Sequence, residues 1–268
     1  MGRPLPPTFA PALGFAHDFL EAPEVVILRK AGADPAGSTI KPMSYTHFVL
    51  AHLRKDLQIE WRAKDSINGM LFFSLLVVVV LAMAFDPGSY PTLTRQISGG
   101  LLWVGLLFAA MTALNQSWSR ELRNNVLDAH RLAPAPASTL FVGKALANFL
   151  FVTAVELVLA PIFVIFYNLH PLGETWKLLI ILPLGTWALV VNGTFFAALG
   201  LRTRNRETLL PLVLLPISMP ALLAMIQATT DVLTGEFEPT LWIKVLVAYV
   251  IVFTTACLFL FETILNAD

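Results

Sequence analysis

Long apolar stretches alternate with short polar segments along most of this chain. Six stretches are long enough to cross the hydrocarbon layer of a membrane, which takes roughly 20 helical residues. Ionisable side chains are nearly absent from them. Because lipid offers no hydrogen-bond partner to an irregular backbone, each stretch is predicted to be a helix. The predicted spans are 67–85, 97–114, 145–167, 178–200, 208–226 and about 241–261.

The composition agrees with an all-α integral membrane protein of six transmembrane helices. Of the 268 residues, 56% are hydrophobic and only 13% are charged, with a mean hydropathy of +0.71. The single Cys257 allows neither a disulfide within the chain nor a cysteine metal cluster, and no metal site is expected. More than 60 residues precede the first span, so this span is not a cleavable signal peptide.

Three regions are predicted along the chain. Residues 1–42 carry seven prolines and no sustained helical period, which indicates a poorly ordered tail or, if translation starts at Met43, a segment outside the natural protein. Residues 43–66 are predicted to form an amphipathic helix, and residues 67–268 the six-helix transmembrane domain. The apolar positions of the amphipathic helix are Val49, Leu50, Leu53, Leu57 and Trp61.

The amphipathic helix is basic and leads into the first span. These properties are typical of a helix that lies in the membrane interface with its apolar face toward the acyl chains. The alternative is a soluble helix packed on a partner protein.

The distribution of Lys and Arg predicts the orientation in the membrane. With both termini in the cytoplasm, the cytoplasmic side holds eleven basic residues beyond the first 50, and the opposite side holds three. Such a bias predicts a multi-pass protein of the inner membrane with this orientation. The eleven are Arg54, Lys55, Arg62, Lys64, Arg120, Arg123, Arg131, Lys144, Arg202, Arg204 and Arg206, and the three are Arg95, Lys177 and Lys244.

A polar segment separates the second and third spans. It runs from Gln116 to Leu132, carries charges of both signs, and stops before Pro134. Its pattern predicts a small cytosolic helix, and a helix of this kind between two spans is expected to dock a partner.

Two features inside the spans are candidates for a pathway or gate. Glu156 is an acid within the third predicted span, where a carboxylate is costly by roughly 3 kcal/mol and usually faces a bundle interior. It is either a gating or substrate-contacting residue or a structural acid that holds helices together. Pro211, Pro216 and Pro220 interrupt the fifth span, and each removes a backbone hydrogen bond. This span is therefore expected to pack against other helices or to line a cavity.

Enzyme and nucleotide-binding motifs are missing from the sequence. It has no His-Glu-x-x-His, Gly-x-Ser-x-Gly or Gly-x-x-x-x-Gly-Lys-Ser/Thr pattern. The chain is therefore predicted to have no ATPase site of its own, and the energy for any work must come from a partner or from an ion gradient. A gradient-driven pump normally shows more than one intramembrane charge, so a partner is favoured as the energy source.

The chain from about Tyr45 to its end resembles the CcmB family, the heme exporter protein B permeases of cytochrome c maturation. The most specific block is Arg202–Pro220, a basic turn followed by Leu-Leu-Pro, Leu-Pro and a third proline. One departure is Arg123-Asn124-Asn125, where family members commonly have an acidic turn. The other matching blocks are Leu57–Lys64 with Phe72-Phe73, Gly100–Val104, Ser119–Glu121 with Leu127–Pro134, and Phe141–Lys144.

The resemblance implies an ABC-2-type permease that works with a CcmA-like ABC ATPase. It further implies CcmC-like and CcmD-like membrane subunits and a CcmE-like haem chaperone on the outer face. Haem is then a transported or handled ligand, ATP is used by the partner, and the permease could form a homodimer; no nucleic acid is expected. The residues expected to dock the ATPase are Arg120, Glu121, Arg123, Leu127, Asp128 and Leu132.

Two other functions share this architecture. One is an ABC-2 permease that exports a lipid, a glycan or a drug. The other is a scaffold without transport activity that holds cytochrome assembly proteins together. The proline block of the fifth span favours the cytochrome c maturation permease over the exporter, whereas partner binding with no dependence of activity on ATP would favour the scaffold.

Overall fold

The protein is helical throughout the part that its computed structural model describes, which comprises residues 44–123, 136–200 and 206–266. Within these ranges there are seven α-helices, one short 3-10 turn at Thr175–Lys177 and no strand. The helices are α1 (Tyr45–Ala63), α2 (Asp65–Phe85), α3 (Pro91–Arg123), α4 (Ala137–Phe166), α5 (Leu178–Gly200), α6 (Arg206–Thr234) and α7 (Thr240–Asn266).

The six helices α2 to α7 are long and apolar enough to cross a membrane. The prediction of an all-α protein with six spanning helices is therefore confirmed. The spanning stretches are Asp65–Phe85, Pro91–Ser119, Ala137–Phe166, Thr175–Gly200, Leu210–Thr234 and Thr240–Thr263.

Three of these helices extend well beyond the predicted bounds. Helix α3 begins at Pro91 rather than at 97, α4 begins at Ala137 rather than at 145, and α6 continues to Thr234 rather than ending at 226. The extensions contain hydroxyl side chains that donate to a carbonyl of the preceding turn, so polar residues continue the helix instead of ending it. Examples are Thr94 to Tyr90, Thr139 to Pro136, and Thr234 to Thr230.

Helices α3 and α5 form the centre of the bundle. In their most apolar stretches 67% and 61% of residues are buried, against 22% in α2 and 17% in α7. A Cβ added at Gly185 would lie 2.4 Å from the ring of Trp103, and one added at Gly193 would lie 2.3 Å from Leu114. These glycines, which punctuate the fourth predicted span, therefore allow close packing of α5 on α3.

Buried polar contacts also join the spans. The Asn192 amide of α5 donates to the Tyr249 hydroxyl of α7 at 2.6 Å, and that hydroxyl lies 2.9 Å from the Ile217 carbonyl of α6. The Trp103 indole of α3 donates to the Thr229 hydroxyl of α6 at 2.9 Å. Satisfied bonds of this type hold helices together where the hydrophobic effect provides no drive between them.

Helix α1 packs on the start of α4. A Cβ at Gly143 would lie 2.6 Å from the His52 Cβ, so glycine permits the close approach of the two helices. The predicted apolar face of α1 is divided by this contact. Val49 is buried, whereas Leu50 and Trp61 remain exposed. Placement of these exposed residues in the membrane interface stays a prediction.

Candidate functional site

A largely buried cluster of charges lies where α1, α3 and α4 meet. It consists of Lys55 and Asp56 from α1, Glu121 from the last turn of α3, and Lys144 from the second turn of α4. We refer to these four residues as the charge cluster. It lies at the end of α3 that leads into residues 124–135, which are outside the described part of the chain.

Glu121 is the centre of the charge cluster. Its Oε1 atom lies 2.6 Å from Lys55 Nζ and 2.8 Å from Lys144 Nζ. Asp56 lies 3.0 Å from Lys144 Nζ and 3.3 Å from Lys55 Nζ, and the Ser117 hydroxyl accepts a further bond from Lys144 at 3.3 Å. Two ammonium groups therefore face two carboxylates, so the buried cluster is electrically balanced.

The pKa values of Glu121 and Lys55, which lie outside the membrane-spanning stretches, agree with ionised side chains. Burial by itself raises the pKa of the Glu121 carboxyl, but the ammonium groups of Lys144 and Lys55 outweigh this and lower it to about 2. Burial likewise favours the neutral form of Lys55, yet the adjacent Asp56 and Glu121 raise the pKa of its ammonium group overall. At neutral pH Glu121 and Lys55 are therefore ionised.

An aromatic group supports the cluster from the membrane side. The Lys144 ammonium lies 5.2 Å from the ring centroid of Trp118, within cation–π range. Trp118 is fully buried and donates from its indole to the Thr194 carbonyl of α5 at 2.9 Å. Phe261 of α7 lies 6.0 Å from Trp118 and 5.1 Å from Phe141 of α4. The cluster is thus packed against the ends of four spanning helices.

A second buried acid fixes α1 to α2. The Glu60 carboxylate accepts hydrogen bonds from the backbone N–H groups of Ser66 at 2.8 Å and Ile67 at 3.0 Å. These N–H groups belong to the first turn of α2, where backbone N–H groups have no carbonyl acceptor within the helix. Lys64 between the helices has a positive φ of 57°, so α1 does not run straight into the first span but turns before it.

The structure revises the expected docking surface. Glu121, which was expected to dock the ATPase, is only 4% exposed because it is enclosed by Lys55 and Lys144. The backbones of Arg120 and Arg123 lie in the last turn of α3, so the polar segment begins as a continuation of that helix rather than as a separate one. The remaining expected docking residues, Leu127, Asp128 and Leu132, lie outside the described residues.

Glu156 joins α4 to α5 inside the bundle. It is 3% exposed, and the Thr186 hydroxyl of α5 donates to its Oε2 atom at 2.7 Å. Its Oε1 atom and the Thr153 hydroxyl one turn earlier have no hydrogen-bond partner among the described residues. The contact with Thr186 supports the structural interpretation of this acid, and a gating role stays a prediction. From the predicted bounds Glu156 would be the only acid inside a span, but Asp231 lies in the last turn of the spanning stretch of α6.

The three prolines lie inside a continuous α6. Pro211, Pro216 and Pro220 all fall within Arg206–Thr234, so they do not end the helix. Pro220 cannot donate to the Pro216 carbonyl, and the next carbonyl, that of Ile217, accepts a bond from a tyrosine of α7. Helix α6 contacts α3, α5 and α7, in agreement with the expectation that neighbouring helices surround it.

Sequence reasoning did not identify Lys55, Asp56 and Lys144 as one site. Lys144 lies 88 residues after Asp56, and only the fold brings it next to Lys55 and Asp56. Lys144 carried a local signal, since it is a lone charge between Gly143 and a long apolar stretch. Among the described residues no group of three His, Cys, Asp or Glu side chains is placed to hold a metal ion.

Comparison with known families decides the classification. The family model described as CcmB protein matches residues 47–266. The chain belongs to the CcmB family. This range agrees with the resemblance from about Tyr45 to the end and confirms the classification made from the motifs.

Relatives named heme exporter protein B resemble the chain over most of their length. The protein of Rhodobacter capsulatus is 35% identical over 175 residues, which cover 65% of this chain and 78% of the relative. The protein of Paracoccus denitrificans is 34% identical over 174 residues, which cover 65% of this chain and 78% of the relative. The protein of Pseudomonas aeruginosa is 27% identical over 205 residues, which cover 75% of this chain and 90% of the relative.

Two of the motif blocks now have a structural explanation. In the block Phe141–Lys144, the phenylalanine packs in the core, Gly143 contacts α1, and Lys144 enters the charge cluster. The block Ser119–Glu121 supplies the carboxylate that Lys144 binds. Both blocks thus contribute to the contact between α3, α4 and α1.

Proposed function

We propose that this chain is the membrane permease subunit of an ABC transporter for cytochrome c maturation. In this role it couples ATP hydrolysis by a partner ATPase to the export of haem or to the release of a haem-loaded chaperone. Membership of the CcmB family, whose relatives are named heme exporter protein B, carries the proposal. The bundle of six spanning helices supports it.

The charge cluster supplies a physical route for coupling. A movement of the segment after Arg123 acts on the end of α3, which Glu121 ties to α1 and α4 by two short ionic hydrogen bonds. Glu60 ties α1 in turn to α2. A displacement at one cytosolic point is therefore passed to several spans, as energetic coupling through packed and ionic contacts requires.

The protein is proposed to lie in the inner membrane, with both termini and the charge cluster on the cytoplasmic side. The support is the eleven-to-three bias of basic residues. In this orientation the ATPase contacts the segment from Arg120 to Leu132, with Leu127 and Leu132 seated in an apolar groove. Glu121 acts from inside the bundle, as a positioning residue.

The proposed partners follow from the family. They are a CcmA-like ATPase, CcmC-like and CcmD-like membrane subunits, and a CcmE-like haem chaperone on the outer face; a second permease copy is compatible with this assembly. Haem is the handled ligand, and no part of the proposal requires that it pass through this subunit.

Co-purification from native membranes tests the proposal. A tagged full-length chain, extracted in mild detergent, is expected to retain an ABC ATPase and membrane subunits of cytochrome c assembly. Recovery of the chain with assembly proteins but without any ATPase would favour a scaffold. An ATPase whose neighbours handle lipid, glycan or drug would favour an exporter of those compounds.

A pair of variants tests the docking segment. Leu127→Gln is expected to leave the spans folded but to lower the ATPase retained on the permease, because a polar amide replaces an apolar contact. Leu127→Met keeps volume and apolarity and is the matched control. Equal ATPase retention in the two variants would contradict a docking role for this residue.

A further inference from the structure

A polar cavity of about 250 Å³ lies at the end of the bundle opposite the charge cluster. Its walls are the connection between α4 and α5 and the connection between α6 and α7, together with the last turn of α6. We refer to it as the outer cavity, because the proposed orientation places this end outside the cytoplasm. Its position relative to the helices is independent of that orientation.

The walls of the outer cavity are held in place by backbone hydrogen bonds. The Gly173 N–H donates to the Val232 carbonyl at 2.9 Å, and the Gly235 N–H donates to the Asp231 carbonyl at 2.9 Å. Gly235 adopts a positive φ of 69°, and a Cβ at Gly173 would lie 2.8 Å from the Val232 carbonyl oxygen. Glycine is therefore needed at both positions.

The outer cavity carries an excess of negative charge. Four carboxylates line it, those of Glu174, Asp231, Glu236 and Glu238, and Lys177 is the one basic side chain among the described lining residues. The Lys177 ammonium is engaged by Glu238 at 2.6 Å and by Glu174 at 3.2 Å. This leaves the carboxylates of Asp231 and Glu236 without a cation.

Asp231 is the strongest indication that the cavity takes a ligand. It is only 7% exposed and lines the cavity, yet among the described residues its carboxylate has neither a hydrogen-bond donor nor a cation within contact distance. A buried carboxylate is costly unless it is paired. A cation that enters the cavity would supply the missing partner.

The rim of the cavity adds an aromatic surface. Phe237 lines the cavity and is 73% exposed, so its ring is accessible at the rim. An aromatic face beside carboxylates suits a long basic side chain, whose aliphatic part packs on the ring while its charged end reaches the acid.

We infer that the outer cavity binds one ammonium or guanidinium side chain presented by a polypeptide partner. Its volume is below the roughly 300–1,000 Å³ of small-molecule sites, so it fits a single side chain rather than a haem-sized compound. An amine of a lipid headgroup carries a phosphate beside it, which the excess carboxylates would repel. A lysine or arginine side chain carries no such anion.

Photo-cross-linking to defined peptides tests this inference. The full-length chain with Phe237→p-benzoylphenylalanine keeps an aromatic ring at the rim and is placed in phosphatidylcholine nanodiscs, where both faces are accessible. Biotinylated peptides Gly-Lys-Gly, Gly-Arg-Gly and Gly-norleucine-Gly, with blocked termini, are then cross-linked. The lysine and arginine peptides are expected to give at least about tenfold more product than the neutral isostere, since only they pair with the carboxylates.

Two acid variants locate the site within the cavity. Asp231→Asn is nearly isosteric and is expected to lower the lysine-peptide yield to that of the norleucine peptide. Glu236→Gln, at an exposed position, is expected to lower the yield severalfold without a risk to folding. Asp86→Asn is the matched control, because Asp86 lies at the same end of the bundle but outside the cavity.

Three results would overturn the inference. They are equal yields from charged and neutral peptides, equal effects of Asp231→Asn and Asp86→Asn, or loss of peptide cross-linking when phosphatidylethanolamine is added. The last result would assign the cavity to a lipid amine. None of them bears on the proposed ATPase partner, which co-purification tests separately.

Discussion

Replacement of Glu121 by glutamine is the sharpest perturbation of the charge cluster. The variant keeps the size of the side chain but leaves Lys55 and Lys144 facing Asp56 alone. Removal of one partner from a buried ion pair costs about 3–5 kcal/mol. A pKa lowered from 4.5 to about 2 independently corresponds to about 3 kcal/mol. We therefore expect Glu121→Gln to lower the free energy of unfolding by about 3 kcal/mol.

Thermal unfolding of the purified chain in one detergent measures this loss. A decrease of about 3 kcal/mol corresponds to roughly 6–12 °C in Tm for a chain of this size. The matched control is Glu174→Gln, which removes a carboxylate from the half-exposed pair with Lys177 and is expected to change Tm little.

A second substitution decides whether the charges act as a unit. Lys55→Met added to Glu121→Gln restores electrical balance, so the double variant is expected to recover at least half of the lost stability. Strictly additive losses, or a Glu121→Gln effect no larger than that of Glu174→Gln, would refute the reasoning.

Three further predictions concern pH and packing. The pKa of Glu121 is lower in the folded than in the unfolded chain. The stability that the ionised carboxylate contributes is therefore complete above about pH 4.5 and is lost as the pH falls toward about 2. The unfolding midpoints of the wild type and of Glu121→Gln should converge as the pH approaches 2. Gly185→Ala should destabilise by about 1–3 kcal/mol through Trp103, whereas Gly69→Ala, with open space, should not. Glu156→Leu should lower Tm, because it deprives the Thr186 hydroxyl of its acceptor. Glu156→Gln should retain both the Tm and cytochrome c assembly. A Glu156→Gln variant with a normal Tm but without cytochrome c assembly would indicate a gating role for the acid.

The spanning helices were predictable because lipid imposes length and apolarity on each of them. The residues at which these helices begin and end were less predictable. The polar residues before 97 and 145 and after 114 and 226 resemble loop sequence. Thr94, Thr139 and Thr234 nevertheless bond to their own helices, and Glu121 is paired with a lysine of a neighbouring helix. Hydropathy alone cannot anticipate partners that arrive from elsewhere in the fold.

The candidate site was predictable in position but not in composition. The sequence indicated that the end of the second span and the segment after it matter, and the charge cluster lies at that end. It did not indicate that Glu121 faces inward, because its partners Lys55 and Lys144 come from helices whose packing depends on Gly143. The outer cavity likewise depends on loops that meet only in the folded bundle.

The attachment of haem to c-type cytochromes in the native cell tests the central proposal most directly. Deletion of the chain is expected to abolish covalent haem staining of these cytochromes. The wild-type chain should restore staining only when the co-purifying ATPase retains its ability to hydrolyse ATP. Normal cytochrome c assembly after deletion, or restoration with an ATPase unable to hydrolyse ATP, would contradict the proposed function.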